Sequence, residues 1–311
     1  MLRIFNTITI PVALYNSEVW GPMFFSSNPG NTQLFGDNTG VSVNNIQYMF
    51  LRVILGVTKN SSKLAILIET GQLPLITNVI TSIVKFWFHL SNSNSPILRN
   101  SLRVNAELHN KGCKTWYTTV KKIVDLLNIE HILYTADTRE LAFQHNQIKY
   151  TVRAKFQEYW KQELNSRREG KLEFYSQYVS QFCLQDYFNC NSLPQHLRKV
   201  ITRFRIGAHK LPAETGRYFS NISRDERYCP LCCNGIGNEK HYLILCDNPI
   251  ILSLRNYFFS KIGFSDTVFS SLGSEERIAH LMSSNDHNTL INLGFFLEKL
   301  EAIFKERKPQ V

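Results

Sequence analysis

Four potential metal ligands near the C-terminal end constrain this chain more than any other feature. Two residues separate Cys229 from Cys232, eight separate Cys232 from His241, and four separate His241 from Cys246. Two cysteines that are separated by two residues can point both sulfurs at one ion from a tight turn. His241 and Cys246 can then complete a tetrahedron from across a loop. Three sulfurs and one imidazole favour zinc, Zn2+. Because protein fills every corner, the predicted zinc site is structural and not catalytic.

Two alternatives to this ligand set stay open. Free cysteines are often small buried apolar residues, but here three of the seven lie within five residues and a fourth follows, with a histidine between them. Burial alone does not require that pattern. In addition, Cys233 adjoins Cys232 and could replace it as the second ligand, although the two-residue spacing favours Cys232.

The second pair of ligands sets a geometric condition. His241 and Cys246 are five residues apart, and at ~100° per residue a straight α-helix would turn them towards different sides. We therefore expect a helix to begin near His241 or to end near Cys246, where Asp247-Asn248-Pro249 supplies the ending.

The charge balance favours a polyanionic partner. The 311 residues carry a formal net charge of +10, with a sequence pI near 9.2, and nucleic acid (RNA or DNA) is the leading candidate. The length allows two or three domains. Cysteines spaced for a metal, without an obvious disulfide framework, favour a reducing intracellular compartment, nuclear or cytoplasmic. No stretch is long and apolar enough to span a bilayer, so we expect no membrane partner.

Apolar residues at helical spacing predict a mainly α fold. One helical face is formed by Val79, Ile83, Phe86, Trp87 and Leu90, and a similar one by Trp116, Val120, Ile123, Val124 and Leu127. No strand alternation of useful length appears. Lapses in periodicity and the change in charge divide the chain into a helical region 1–130, a basic helical linker region 131–220, and a region 221–311 with the zinc site and the C-terminal helices.

The last predicted helix, from about Asn288 to Glu306, carries a heptad seam. The seam consists of Leu290, Leu293, Leu297, Leu300 and Phe304. It could self-associate as a coiled coil, but it has barely more than two heptads, and packing within the chain is favoured.

A basic segment precedes the zinc motif. Between 196 and 217 the chain has a single acid, Glu214, and a set of residues that we predict to bind nucleic acid: Arg198, Lys199, Arg203, Arg205, His209, Lys210 and Arg217. This density suits phosphate contact, with a salt-dependent affinity that arises from counterion release. Arg203 and Arg205 diverge on a helix, so they would reach different phosphates or one would pack inward.

Four segments taken together carry a family resemblance. They are residues 14–21 (Leu-Tyr-Asn-Ser-Glu-Val-Trp-Gly), residues 50–75 with Glu69-Thr70-Gly71 and Pro74-Leu75, residues 203–218, and the ligands Cys229, Cys232, His241 and Cys246. In that order they resemble the C-terminal (thumb plus zinc-knuckle) region of a non-LTR (LINE-type) retrotransposon reverse transcriptase. Asn16 stands where that family more often has glycine.

The resemblance implies a helical thumb-like region over 1–130 that packs against primer–template duplex. It also implies a helical C-terminal domain containing a small CCHC zinc knuckle. The family's polymerase uses palm aspartates, including an adjacent pair, to hold two magnesium ions, but this chain has no two adjacent aspartates. We therefore expect a nucleic-acid-binding portion of such a polyprotein that lacks the palm and endonuclease and is not an enzyme.

Two other functional classes stay open. A zinc-scaffolded protein-interaction module would bind partners through the heptad seam and would associate with nucleic acid only weakly and independently of salt. An enzyme would need a catalytic pair, such as His209 with Glu214 or Cys183 with His196. Neither pair has a third group to orient it in the sequence.

Overall fold

The structure is a computed structural model that describes residues 2–26, 34–35, 41–130, 141–166, 172–219, 223 and 226–306, without the side chains at 41–42, 141–144, 216–219 and 306. These residues are mainly helical, which confirms the predicted fold class. Their β-structure is an isolated antiparallel bridge between Tyr228 and Ile236.

Among the described residues, the helices in chain order begin with α1 (Leu2–Ala13, with a π-helical turn over Phe5–Thr9), α2 (Ser17–Trp20), α3 (Met23–Ser26), α4 (Val41–Leu55), α5 (Lys63–Thr70), α6 (Leu75–Ser91), α7 (Pro96–Asn110), α8 (Trp116–Leu127) and α9 (Leu141–Ser166). The remaining helices are α10 (Glu173–Tyr178), α11 (Gln195–Arg205), α12 (Pro212–Phe219), α13 (Pro249–Ser265), α14 (Thr267–Ser271), α15 (Ser274–Ser283) and α16 (His287–Glu306). A 3-10 turn spans Asp186–Phe188 and a π-helical turn spans His241–Leu245.

The chain divides into two compact units. Unit 1 consists of Met1–Tyr48 and Leu73–Gln162, and unit 2 consists of Met49–Gln72 and Glu163–Val311. The division into 1–130, 131–220 and 221–311 stays a prediction from the sequence.

The core of unit 1 is built on α6 and α8. The two predicted apolar faces lie on these helices, and all their residues are buried except the partly exposed Phe86 and Trp116. Pro74 precedes α6, and its side chain has no hydrogen-bonding group that could cap this helix. Side chains of α4 therefore accept hydrogen bonds from the first N–H groups of α6. Gln47 accepts from the Leu75 N–H at 3.1 Å and Asn44 from the Ile76 N–H at 3.1 Å. These bonds satisfy donors that a helix start leaves unpaired.

The core of unit 2 centres on α16, which packs against α11 and α13. The four leucines of the heptad seam are each at most 1 % exposed, so these leucines pack within the chain, as the sequence favoured. Close approach to α11 requires glycine, because a Cβ built on Gly294 would lie 2.9 Å from the Cβ of Leu197.

Helix bounds follow local signals that the sequence contains. Gly56 ends α4 in the left-handed region, with φ +66°, and the Ser62 hydroxyl accepts from the Ala65 N–H at the start of α5. Among the described residues, no single helix is long and apolar enough to cross a bilayer. One bent pair, α5 with α6, reaches that threshold when its two helices are taken together.

Candidate metal centre

The first two ligands lie on a tight turn held by backbone hydrogen bonds. The Cys229 N–H donates to the Gly235 carbonyl at 2.7 Å, and the Cys233 N–H donates back to the Cys229 carbonyl at 2.9 Å. Cys233 has φ +59° and is exposed, whereas Cys232 is partly buried and faces the other ligands. The structure therefore places Cys232, and not Cys233, in the ligand set.

The second two ligands are brought together by a π-helical turn. His241–Leu245 forms this turn, and the Cys246 N–H donates to the His241 carbonyl at 2.8 Å. A hydrogen bond between residues five apart widens the turn relative to an α-helix. The widened turn allows His241 and Cys246 to face one point, which a straight α-helix would prevent. The chain then extends to Asn248, which caps α13.

All four ligand atoms converge. One ligand atom from each of Cys229, Cys232, His241 and Cys246 lies within 4.8 Å of every other, and the Sγ of Cys232 is 3.2 Å from Nε2 of His241. Ligands around a tetrahedral zinc ion are separated by roughly 3.5–3.8 Å, given bonds of ~2.3 Å to sulfur and ~2.0 Å to nitrogen. Small side-chain adjustments would therefore suffice, and the cluster can hold a metal ion.

The three thiols differ in acidity. Burial alone would raise the pKa of Cys229, but the neighbouring His241 and Tyr242 side chains and backbone N–H groups lower it to about 6. Burial raises the pKa of Cys246 to about 12, and the neighbouring Cys229 contributes to that rise. Burial also raises the pKa of Cys232. Three thiols this close cannot readily all ionise by themselves, and a divalent cation among them would supply the charge that three thiolates require.

A second layer of residues holds the ligands in place. Arg255 donates to the Cys246 carbonyl at 2.8 Å, and Asn248 donates to the Leu231 carbonyl at 3.0 Å. The buried Tyr242 hydroxyl lies close enough to Cys229 to lower the pKa of that thiol, yet among the described residues it has no hydrogen-bond partner of good geometry. A metal-bound thiolate would be a better acceptor for this hydroxyl than a thiol, so this side chain also fits a bound cation.

Two of the predicted nucleic-acid contacts are buried, and this requires a correction. Arg205 is 4 % exposed and its side chain forms an ion pair with Glu69. His209 is also 4 % exposed; its Nε2 lies 2.7 Å from Glu239, and its Nδ1 accepts from the Leu211 N–H. Since both side chains are occupied inside unit 2, neither can reach a phosphate in this structure. Of the two outcomes expected for Arg203 and Arg205, inward packing applies to Arg205.

The other cations that we predicted to bind nucleic acid differ in how many contacts their side chains make within the protein. Arg203 forms a bidentate pair with Glu301, with its closest contact at 2.7 Å. Arg198 donates to the Cys190 carbonyl at 2.8 Å. The aliphatic stem of Lys199 packs over Gly56, and Lys210 is exposed. The side chain of Arg217 lies outside the described residues.

The acidic partners of these cations were not identified from the sequence. Glu69, Glu239 and Glu301 lie 136, 30 and 98 residues from Arg205, His209 and Arg203, respectively. Nothing in the local sequence marks these pairings. His209 therefore pairs with Glu239, and not with Glu214 as the enzyme alternative required. His196 lies 3.9 Å from Glu298.

Comparison with known proteins gives no match. No protein-family model, no curated protein and no solved structure matches this chain.

Proposed function

We propose that this protein binds nucleic acid and that Cys229, Cys232, His241 and Cys246 hold a structural zinc ion. Three thiolates and one imidazole in a closed site suit zinc better than the hard cations, which prefer oxygen ligands. Thiolate ligands have to stay reduced, so we also propose that the protein is intracellular, in the nucleus or the cytoplasm. The role of the zinc is to fix the fold around the ligand-bearing turn.

The observation that carries the nucleic-acid proposal is the exposed charge on α7. This helix has no buried residue. Arg99 and Arg103 lie one turn apart on its surface, and the exposed Lys111 and Lys114 follow it. The only acid in this stretch is Glu107, which is 3.9 Å from Arg103, with both side chains more than half exposed. A pair this exposed contributes little, and a phosphate can compete for the arginine.

Three further arguments support the same partner. The net charge of +10 favours association with a polyanion. In unit 2, the basic segment that precedes the metal ligands contributes Lys199 and Lys210 as candidate phosphate contacts, because neither residue is buried. The resemblance to the thumb and zinc-knuckle region of LINE-type reverse transcriptases implies the same partner, with the helices of the first 130 residues against a duplex.

The test is a titration of labelled single-stranded RNA and duplex DNA with the zinc-loaded protein at 50 and 200 mM salt, repeated after chelation. If several phosphates are engaged, affinity falls by orders of magnitude between these salt concentrations. Binding that is feeble at both concentrations, while the protein stays folded with its metal, would overturn the proposal.

A second candidate function is favoured by an exposed apolar row at the N-terminal end. Ile4, Ile8, Val12, Tyr15 and Val19 are between 59 % and 76 % exposed, and they recur at helical spacing. Exposed apolar rows of this kind often mark protein–protein contacts. This candidate predicts an association that survives high salt and is abolished by Ile8→Asp, whereas nucleic-acid binding by α7 would survive that change.

A further inference from the structure

A cavity in unit 2 has a lining that is basic and lacks acids. Its volume is about 450 Å3, and it lies among α13, α14, α15 and the π-helical turn of the metal centre. Two arginines line it, Arg255 and Arg277, together with several hydroxyl and amide groups, and none of the lining residues is aspartate or glutamate. This volume is in the range of small-molecule sites, ~300–1,000 Å3.

Arg255 is a buried cation without a carboxylate. It is 8 % exposed, and among the described residues no carboxylate pairs with it. Its Nη2 donates to the Cys246 carbonyl, but its Nη1 is buried and has no hydrogen-bond partner in the described part of the chain. A buried donor left without an acceptor is unfavourable, so this position is suited to an additional acceptor such as an anion.

Arg277 provides a second cation whose direction is fixed. Its Nε donates to the Phe269 carbonyl at 3.2 Å and its Nη2 to the Ser270 carbonyl at 3.0 Å, while its guanidinium lies over the Phe269 ring. These contacts leave Nη1 without a protein acceptor in the described part of the chain. A guanidinium held by backbone carbonyls is preorganised for an additional acceptor, and arginine donors match phosphate geometry well.

We propose that this cavity binds a phosphate monoester, with Arg255 and Arg277 holding the phosphoryl oxygens. The exposed Asn256 amide is a further donor at its wall. Phe259, which is only partly buried, adds aromatic surface that suits the flat base of a nucleotide. The phosphoryl group could belong to a free nucleoside monophosphate or to the 5′ end of a single strand, and the two sources share this chemistry.

A competing role for Arg255 has to be separated from ligand binding. Arg255 contacts the Cys246 carbonyl, so it could act only as a brace for the metal centre. Among the described residues, Arg277 contacts α14 and no metal ligand, so its substitution tests the cavity without altering the metal centre. Lys261 is a matched control, because it is an exposed cation on α13 that does not line the cavity.

The experiment is isothermal titration of the full-length, zinc-loaded protein with inorganic phosphate, uridine 5′-monophosphate and uridine. Matched single strands with a 5′-phosphate or a 5′-hydroxyl form the second arm. We expect uridine 5′-monophosphate to bind and uridine not to bind. Arg277→Gln should weaken binding by about tenfold or more, as expected for loss of a charge-assisted hydrogen bond, and Lys261→Gln should leave it unchanged.

The outcomes distinguish this proposal from the proposed function. A 5′-phosphate preference among the single strands identifies a strand end as the source, and its absence with retained monophosphate binding identifies a free nucleotide. The proposal fails if no phosphorylated probe binds, or if Arg277→Gln binds as tightly as the unaltered protein. Zinc content is measured for Arg255→Gln, and weaker binding counts only if the zinc is retained. Duplex binding by α7 is unaffected in each case.

Discussion

Glu69 and Arg205 form a buried ion pair that joins two segments 136 residues apart, with Nη2 of Arg205 3.0 Å from Oε1 of Glu69. The side chains are 0 % and 4 % exposed. The Tyr187 hydroxyl donates to the same carboxylate, and Gln185 accepts from Arg205 at 2.9 Å. With these additional bonds, most of the hydrogen-bonding capacity of both charges is satisfied, which is the condition under which a buried pair is tolerated.

Replacing one member of this pair should destabilise unit 2 strongly. Glu69→Gln leaves the guanidinium of Arg205 buried without a counter-charge, and we expect a loss of about 3–5 kcal/mol in the free energy of unfolding. Urea unfolding followed by circular dichroism measures it. Arg203→Gln is the control, because the Arg203–Glu301 pair is partly exposed, and its loss should cost about 1 kcal/mol or less. Equal effects of the two changes would contradict this interpretation.

Zinc binding should depend on Cys232 and not on its neighbour. Cys232→Ser removes a ligand, whereas Cys233→Ser alters an exposed thiol outside the cluster. We expect stoichiometric zinc in the unaltered protein and in Cys233→Ser after dialysis, and its loss in Cys232→Ser, as measured by elemental analysis. Retention of zinc by Cys232→Ser with loss in Cys233→Ser would reverse the ligand assignment.

Gly294→Ala should destabilise the protein although alanine favours helices. The helical preference of alanine over glycine contributes about 1 kcal/mol. Against this, the added Cβ would lie 2.9 Å from the Cβ of Leu197, and overpacking of this kind costs about 1–3 kcal/mol. We expect a lower melting temperature for Gly294→Ala. Asn292→Ala, on the same helix, tests the helical preference without that clash. A melting temperature raised by both changes would exclude close packing of α16 on α11.

Stability should depend on pH through Asp266. The Phe269 N–H donates to this carboxylate and lowers its pKa; burial opposes the effect, and His280, at 2.6 Å, adds to the lowering. Because the pKa is lower in the folded state, the stabilisation is present above the unfolded pKa, near ~3.9, and is lost as pH falls through the folded value.

The Asp266 dependence can be tested with two substitutions. Asp266→Ala should lower the free energy of unfolding by about 1 kcal/mol at pH 7, the usual effect of losing an N-cap, with a difference that shrinks in acid. Asp266→Asn keeps a capping acceptor but not the charge. Denaturant unfolding from pH 7 to pH 3 measures both. A difference that stays constant with pH would show that the charge has no part in it.

Nucleic-acid binding should respond to the cations of α7. The double change Arg99→Gln with Arg103→Gln should weaken binding of duplex DNA and reduce the slope of log K against log salt by about 0.9 for each phosphate that the protein no longer neutralises. Arg203→Gln, at a cation already paired with Glu301, should leave the slope unchanged. Unaltered affinity in the double variant would remove α7 from the interface.

The features that could be predicted from the sequence depend on residues that lie close together along the chain. The cluster of Cys229, Cys232, His241 and Cys246 was predictable because its members lie within 18 residues of one another at a spacing typical of metal ligands. The apolar faces of α6 and α8 are also local properties. The π-helical turn was not named in advance, but the five-residue spacing of His241 and Cys246 already excluded a straight α-helix.

Long-range pairing was not predictable. A dense group of cations looks the same in a sequence whether it faces a phosphate or a distant carboxylate. Arg205, His209 and Arg203 each pair with a glutamate at least 30 residues away, and only the assembled core shows which glutamate that is. Helical geometry predicted only that Arg203 and Arg205 would reach different phosphates or that one of them would pack inward.

The split of unit 2 into 49–72 and 163–311 has a consequence for biosynthesis. When α5 leaves the ribosome, the residues that later contact it, Tyr175 and Arg205 among them, have not yet been translated. At about 5–20 residues per second, the 136 residues from Glu69 to Arg205 take roughly 7–27 seconds to make. During that interval, α5 is a strongly apolar helix that lacks these partners. A chaperone can bind it until they are translated.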